Sequence, residues 1–464
     1  MKVAYMESLF LMAASVRPVS DTQLMLASVI GVAVLLILVM KFKLHAFVSL
    51  LLMSIAVGIG AGMPLQGVLK AVETGMGDAL KVLAIIVGLG AMFGKMLEVS
   101  GGAERLAKTI LDKFGDDKAP WALGLTGFLV SIPVFLDVGL IIIIPIVFSL
   151  AKRTGKSILF YGIPLLAGLG VTHSMIPPTP GPLLVAEFLG AKLGYVILFG
   201  AIAGIPAMIL AGPVFGKYIS DKVKIEMPDY LDFEEPDESK PLPSFWLVVS
   251  LILGPLAMIL LETTIEFITD NQRIIDVVKF LGNPIVAILL VTMLTFRVLG
   301  KHCGFSREDV QDMCTKALEP AGLIILVTGA GGIFKKVLST SGVGDMLGEM
   351  MSSSSLPPIV MAFAIATLVR VAQGSATVAM MTTGAIMAPV CVAAGLSDMQ
   401  LALCAISIAC GSTVLSHIND SGFWLVNRFF GMSVKDTLKT WTVLETIIGV
   451  VGFTVVLILS MFIK

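Results

Sequence analysis

The sequence predicts an all-α polytopic membrane protein built from two copies of one unit in inverted topology, with two re-entrant hairpins and two discontinuous helices. Three observations carry this. Of 464 residues, 56% are hydrophobic and only 14% are Asp, Glu, Lys or Arg, against about 25% charged residues in an ordinary soluble domain. Apolar runs long enough to cross a bilayer recur along the chain, and the second half echoes the first at a fixed offset of 241 residues.

Composition also excludes whole classes of function. A net charge of −1 without a dense Lys/Arg cluster argues against a nucleic-acid partner. The 46 glycines and 22 prolines fit membrane helices, where both are commoner than in soluble ones. The cysteines, Cys303, Cys314, Cys391, Cys404 and Cys410, form no CxxC pair and read as buried thiols, neither a disulfide framework nor a metal site. Residues 1–20 read as a poorly specified N-terminal extension, because Glu7 interrupts the charge and apolar continuity that a signal peptide needs.

A hydrocarbon core about 30 Å thick asks for ~20 apolar residues per helix. Such runs occur at 22–40, 44–63, 82–98, 158–176, 195–219, 245–262, 279–299, 321–338, 400–418 and 441–463. The stretches 119–151 and 356–395 are too long for one span and polar at the centre. Each reads as a hairpin that enters the membrane and turns back, since irregular backbone at depth survives only inside protein or beside a cavity; two short crossing helices are the alternative.

The repeat rests on two windows. Residues 88–106 match 329–347 at Gly88, Gly90, Phe93, Lys95, Leu97, Ser100, Gly101 and Leu106, and residues 170–190 match 411–431 at Gly170, Thr172, Gly181, Leu184, Val185, Phe188 and Gly190. Five crossings between equivalent points turn the second copy over. The domains are then 21–220, a cytoplasmic acidic linker 221–244, and 245–464. Placing the loops at 41–43, 99–118, 152–156, 217–244, 297–320 and 428–440 inside puts 20 Lys/Arg there and 10 outside, so positive charge sets both termini on the outer side.

Inverted repeats with broken helices are a design of secondary transporters, which bind substrate near the midplane at the breaks. Four polar interruptions appear in pairs: the hairpin tips 131–139 and 373–378, and the breaks 172–182 and 416–424, the first rich in Pro177, Pro178, Pro180 and Pro182. A broken helix offers unpaired N–H groups and a positive dipole end to an anion. Ser131, Pro133, His173, Ser174, Thr179, Gln373, Gly374, Ser375, Thr377, Asn419 and Ser421 line these points and suit a small polyhydroxylated carboxylate; singly, such hydroxyls more often back-bond or cap helices.

Ionisable groups at membrane depth are functional candidates by default. Arg370 reads either as the contact for a substrate carboxylate or as the partner of an acid such as Asp137. Asp137 and Asp420, whose burial would raise their proton affinity, are the carboxylates for proton coupling, with His173 and His417 as the histidine alternatives and Glu187 a further acid. Lys95 and Lys336 read as snorkelling side chains. No nucleotide-binding signature, HExxH, GxSxG or Cys/His cluster is present, so the chain reads as neither an ATPase nor an enzyme, without cofactor or metal.

The motifs KFKLHAFVSLLL (41–52), SIPVFLDVGLIIIIPI (131–146), GVTHSMIPPTPGP (170–182), QGSATVAMMTTGAIMAP (373–389) and SHINDSGFWLVNRFFGMS (416–433) make the chain, from about Leu24 to its end, resemble the gluconate permease family of gluconate:proton symporters within the ion transporter superfamily. The resemblance implies a bacterial inner-membrane protein with a scaffold domain, a mobile transport domain, elevator-like movement and commonly a homodimer. It implies gluconate or another small sugar acid carried with H+, with D-serine- or glycerate-like acids as alternatives. A sodium-coupled symporter shares the architecture, and an anion channel would share the anion-friendly pore.

Overall fold

The computed structural model describes residues 20–223, 225, 242–343, 346 and 356–463. The extension before Ser20 and most of the acidic linker lie outside the described residues. All regular structure among the described residues is helical. In chain order the α-helices are α1 (Asp21–Met40), α2 (Ala46–Gly60), α3 (Leu65–Val99), α4 (Gly102–Phe114), α5 (Ala119–Val130), α6 (Leu136–Thr154), α7 (Ile158–Met175), α8 (Pro180–Leu189), α9 (Leu193–Ile209) and α10 (Phe215–Lys222). They continue with α11 (Phe245–Thr264), α12 (Gln272–Gly282), α13 (Pro284–His302), α14 (Arg307–Thr340), α15 (Pro358–Gln373), α16 (Ala376–Ala393), α17 (Asp398–Gly411), α18 (Ser421–Phe429) and α19 (Val434–Ser460). Nine candidate spans among them have the length and hydropathy to cross a membrane.

Local chemistry sets the ends. Ser306 with Asp309, and Ser397 with Gln400, close capping boxes at the starts of α14 and α17. A five-residue π turn, Leu210–Val214, joins α9 to α10 at Pro213, whose missing N–H removes one rung of the α ladder.

Several run boundaries shift. The run 279–299 is not one helix: Gly282 ends α12, Asn283 accepts from Ile285 N at 3.1 Å, and Pro284 opens α13, a stop and start that hydropathy alone averages across. The runs 82–98 and 321–338 are the apolar ends of α3 and α14, which have 35 and 34 residues. At 1.5 Å per residue each is roughly 50 Å long, well beyond the hydrocarbon core. The stretches 119–151 and 356–395 do divide into two helices each, α5 with α6 and α15 with α16. With 12 residues, or roughly 18 Å, α5 is too short to span alone.

Small residues bring the backbones together. A Cβ on Gly75 of α3 would stand 2.7 Å from Ile333 Cα and 2.8 Å from the Gly332 carbonyl oxygen of α14. A Cβ on Gly168 of α7 would overlap the carbonyl oxygen of Gly124 in α5, and one on Gly127 would lie 2.5 Å from that of Leu165. Such contacts let membrane helices gain dispersion energy where no hydrophobic drive exists between them. Two cores result. One joins α1–α3 and α14 to parts of α8 and α16; the other holds α5–α7, α9, α15 and α17–α19. Arg105 of α4 donates to the carbonyls of Pro243 at 2.7 Å and Leu242 at 3.2 Å, tying the start of the second half to the first.

The α5–α7 contact gives a sharp test. Gly168→Ala should destabilise the purified protein by about 2 kcal/mol, since overpacking costs roughly 1–3, whereas Gly77→Ala, with nothing within 4 Å of its Cβ, should leave the thermal unfolding midpoint unchanged or raised. Equal midpoints would show that the two backbones have room to part.

Candidate functional site

Four interruptions of the helical ladder face one another in two pairs. In the first half, residues 131–135 separate α5 from α6, and 176–179 separate α7 from α8. In the second, Gly374 and Ser375 separate α15 from α16, and 412–420 separate α17 from α18. The breaks are narrower than the sequence windows. Thr172, His173 and Ser174 still belong to α7, Pro180 and Pro182 open α8, and Asp137 and Ser421 sit in the first turns of α6 and α18. Proline at a helix start is tolerated because its missing N–H would be unpaired there anyway.

The second pair is laced around Arg370, which is 2% exposed at the end of α15. One guanidinium nitrogen donates to the Gly374 carbonyl and another to Asp420 Oδ2 at 2.5 Å. Asp420 caps α18 by accepting from Gly422 N at 3.1 Å and also takes the Ser416 hydroxyl. Ser416 Oγ accepts from Trp441 Nε1 at 2.7 Å, and its carbonyl accepts from Thr442 Oγ1 at 2.5 Å. The expected partner Asp137 is thus replaced by Asp420, because the break between α17 and α18 folds onto the α15–α16 tip. The Val371 carbonyl accepts from Asn419 Nδ2 at 3.0 Å and lies 3.1 Å from His417 Nε2. Gly374 has φ +88°, and a Cβ there would overlap the Asn419 carbonyl. Leu415 also has positive φ, +56°, a strained position for a branched side chain, with its N–H donating to Thr446 Oγ1 at 3.2 Å.

Around the tip, Gln373 Nε2 donates to the Ser375 carbonyl at 2.9 Å, Ser375 accepts from Val378 N at 3.4 Å, and Thr377 is half-buried. Asn419 and Ser421 are exposed.

The first pair is drier. Pro133, Thr179 and Pro180 line a cavity of about 20 Å³ together with Gly90 of α3, and a Cβ on Gly94 would overlap the Pro133 carbonyl. Ser131 donates to the Val134 carbonyl at 3.3 Å, Ser174 to Gly170 at 2.6 Å and Thr179 to Ile176 at 2.6 Å. These hydroxyls are occupied locally, the commoner use of Ser and Thr near helix ends. His173 Nδ1 is buried without a partner, and the ring lies within electrostatic reach of Asp137 and Asp420. Asp137 itself is exposed, so the burial expected of it is absent.

A separate cavity of about 230 Å³ between α3, α8 and α14 holds Asp78, Lys81, Glu187, Lys335 and Lys336. Lys336 reaches Asp78 at 3.5 Å, and Lys95 pairs with Glu98 at 2.6 Å, so both lysines have acidic neighbours. The sequence reading passed over Glu445 of α19, which is 5% exposed. Its position, in the line Trp441, Glu445, Ile448 that a helix buries on one face, was the available signal.

Comparison with known proteins places the chain. The profile described as GntP family permease matches residues 23–462. The low-affinity gluconate transporter of Escherichia coli (strain K12) is 42% identical over 395 residues, 84% of this chain and 88% of that protein. The gluconate permease of Pseudomonas aeruginosa is 38% identical, covering 86% and 89%, and the Gnt-II system L-idonate transporter of E. coli (strain K12) is 36% identical, covering 86% and 90%. Among solved structures, the YdaH transporter of Alcanivorax borkumensis shares the fold with TM-score 0.65 at 12% identity, over 90% of this chain and 98% of that one.

The ion pair predicts a thermodynamic asymmetry. Arg370→Met or Asp420→Leu alone should cost about 3–5 kcal/mol, because each leaves a buried charge unpaired, while the double substitution should recover most of the loss. Thermal unfolding of the four proteins forms the cycle; a double variant no more stable than the singles would show that the pair is not the unit.

Proposed function

Because the chain belongs to the GntP family of permeases, we propose that it is a secondary active transporter that carries gluconate, or a related small hydroxylated monocarboxylate, into the cell with a proton by alternating access. The observation that carries the reading is the buried Arg370 beside two unwound segments. A guanidinium stays charged, and its fork matches a carboxylate; a substrate carboxylate exchanging with Asp420 would keep that charge neutralised throughout transport. Hydroxyl, imidazole and amide groups of Ser131, His173, Ser174, Thr179, Gln373, Ser375, Thr377, Asn419 and Ser421, with the Pro133 and Gly374 backbone, would then read the sugar hydroxyls. The relatives named for gluconate and for L-idonate support a polyhydroxylated acid as cargo.

The inverted repeat of 21–220 and 245–464 belongs to the same proposal, and element bounds support it. The offset of 241 carries 65–99 onto 306–340, where α14 runs 307–340; it carries 180–189 onto 421–430, where α18 runs 421–429. Each half contains one tip and one break, the arrangement of inverted-repeat transporters whose site is formed by discontinuous helices. We also propose that a mobile transport domain moves as an elevator against a scaffold domain within a homodimer, in the bacterial cytoplasmic membrane, with both termini outside and the linker 221–244 inside. Arg105 against Pro243 then sits on the cytoplasmic face, in keeping with the excess of Lys/Arg in those loops.

Proteoliposomes given an inward proton gradient without sodium should concentrate labelled gluconate, lose it on adding protonophore, and have uptake inhibited more by unlabelled gluconate than by glycerate or D-serine. Uptake that follows sodium and ignores protonophore would overturn proton coupling. Uptake that never exceeds equilibrium would indicate a channel, and the absence of gluconate uptake would overturn the substrate.

A further inference from the structure

Proton coupling needs an acid that is neutral when the substrate rides and charged when it has left. Three of the groups named so far fit poorly. Asp137 is exposed, Asp420 is held by Arg370, Ser416 and the Gly422 N–H, and His417 is engaged with the Val371 carbonyl.

Glu445 is placed differently. It lies mid-helix in α19, 5% exposed, and its Oε1 is shielded from solvent without a hydrogen-bond partner. A Cβ on Gly170 of α7 would stand 2.8 Å from that oxygen, so the carboxyl is pressed against bare backbone. One turn earlier on the same helix, Trp441 and Thr442 hold Ser416, which in turn holds Asp420. Glu445 therefore sits beside the network that secures Arg370 without being bonded into it.

The charged groups facing it are few. From α15 comes Arg370, from the 412–420 break Asp420, with His417 farther along, and α7 contributes His173 one turn from Gly170. Packed against α19 as well, the π turn carries no ionisable group, α9 carries Tyr195 in its first turn, α17 has Asp398 at its first residue and the thiols of Cys404 and Cys410, the latter against Gly452 of α19, and α18 has Arg428 in its last turn. The charge of Arg370 is already matched by Asp420. A second carboxylate there finds no positive charge left to pair with and no donor for its Oε1.

We propose that Glu445 is the side chain that carries the transported proton. The assignment rests on the proton-coupled reading above. The step is a plain proton transfer: hydronium at the outward face gives up a proton, its O–H bond breaking as one forms on the Glu445 carboxylate, and on the inward face that bond breaks and a water takes the proton as hydronium. A substrate carboxylate arriving at Arg370 adds negative charge nearby and favours the protonated acid. By reciprocity the protonated acid favours the substrate, so anion and proton load together.

The test is Glu445→Gln in proteoliposomes, beside wild type and Asp137→Asn. The expected result is collapse of proton-driven gluconate accumulation to the equilibrium ratio in Glu445→Gln, with residual gluconate exchange that no longer varies with pH. Asp137→Asn should still concentrate substrate. Accumulation by Glu445→Gln equal to wild type, or loss in Asp137→Asn alone, would overturn the assignment while leaving the symporter reading intact. A wild type that fails to concentrate gluconate under the gradient would remove the symporter reading and this assignment with it. Should Glu445→Gln fail to fold, Glu445→Asp decides: an accumulation optimum displaced along the pH axis supports the role, and an unmoved optimum overturns it. Infrared difference spectra of the wild type offer a readout that a merely structural residue would not move. A protonated-carboxyl band that changes on adding gluconate, and shifts in Glu445→Asp, is expected; a band insensitive to gluconate would count against it.

Discussion

A guanidinium cannot shed its proton to escape a dry environment, and that constraint organises the second half of this protein. With Arg370 buried at the end of α15, acceptors must come to it. The chain supplies the Gly374 carbonyl from the tip and Asp420 from the facing break. Asp420 in turn needs donors, which Ser416 and the first N–H groups of α18 provide, and Ser416 is held by two residues of α19. Tip, break and final helix are thereby one polar unit inside an apolar body. Truncating a single member leaves an orphaned charge, whereas the whole unit is tolerated because each member satisfies the next.

The first half reaches a similar backbone layout by other means. Pro177 and Pro178 lie in the break, Pro180 and Pro182 open the helix that follows, and serine and threonine hydroxyls bond back to nearby carbonyls. Glycines then let α3 approach the Pro133 carbonyl and α7 approach α5. The two halves thus differ in chemistry where they agree in outline: one break is proline-driven and drier, the other charged and cross-linked.

Much of this architecture was legible in the sequence, because the physical signals are strong. Apolar runs and Gly/Pro/Ser interruptions located most of the spans, both tips and both breaks, and buried charge singled out Arg370, but the runs 44–63 and 400–418 form helices of only 15 and 14 residues, below span length. Boundaries were less legible. Hydropathy averaging ran across Asn283–Pro284 and missed the polar turns by which α3 and α14 outgrow the membrane, since a window reports mean transfer energy and not capping. Partner choice was beyond reach: nothing in the spacing says that Arg370 meets Asp420, 50 residues on, and not Asp137. Glu445 escaped for the opposite reason, as one acid in a long apolar helix looks like an interfacial residue until its neighbours are known.

The space beside the first tip is about 20 Å³, room for about one water, since roughly 10–15 Å³ of such space holds one. This conformation is therefore a poor mould at that tip for any ligand larger than water. Any ligand there has to be accommodated by separating α3, the α5–α6 tip and the α7–α8 break, and the free energy of that separation is subtracted from its intrinsic affinity. Apparent affinity then reports how often the protein opens as much as how well the pocket fits. Two ligands with identical contacts would still be ranked by the shape of opening each demands, and an inhibitor search that begins from this conformation would overlook compounds whose advantage lies in holding the segments apart.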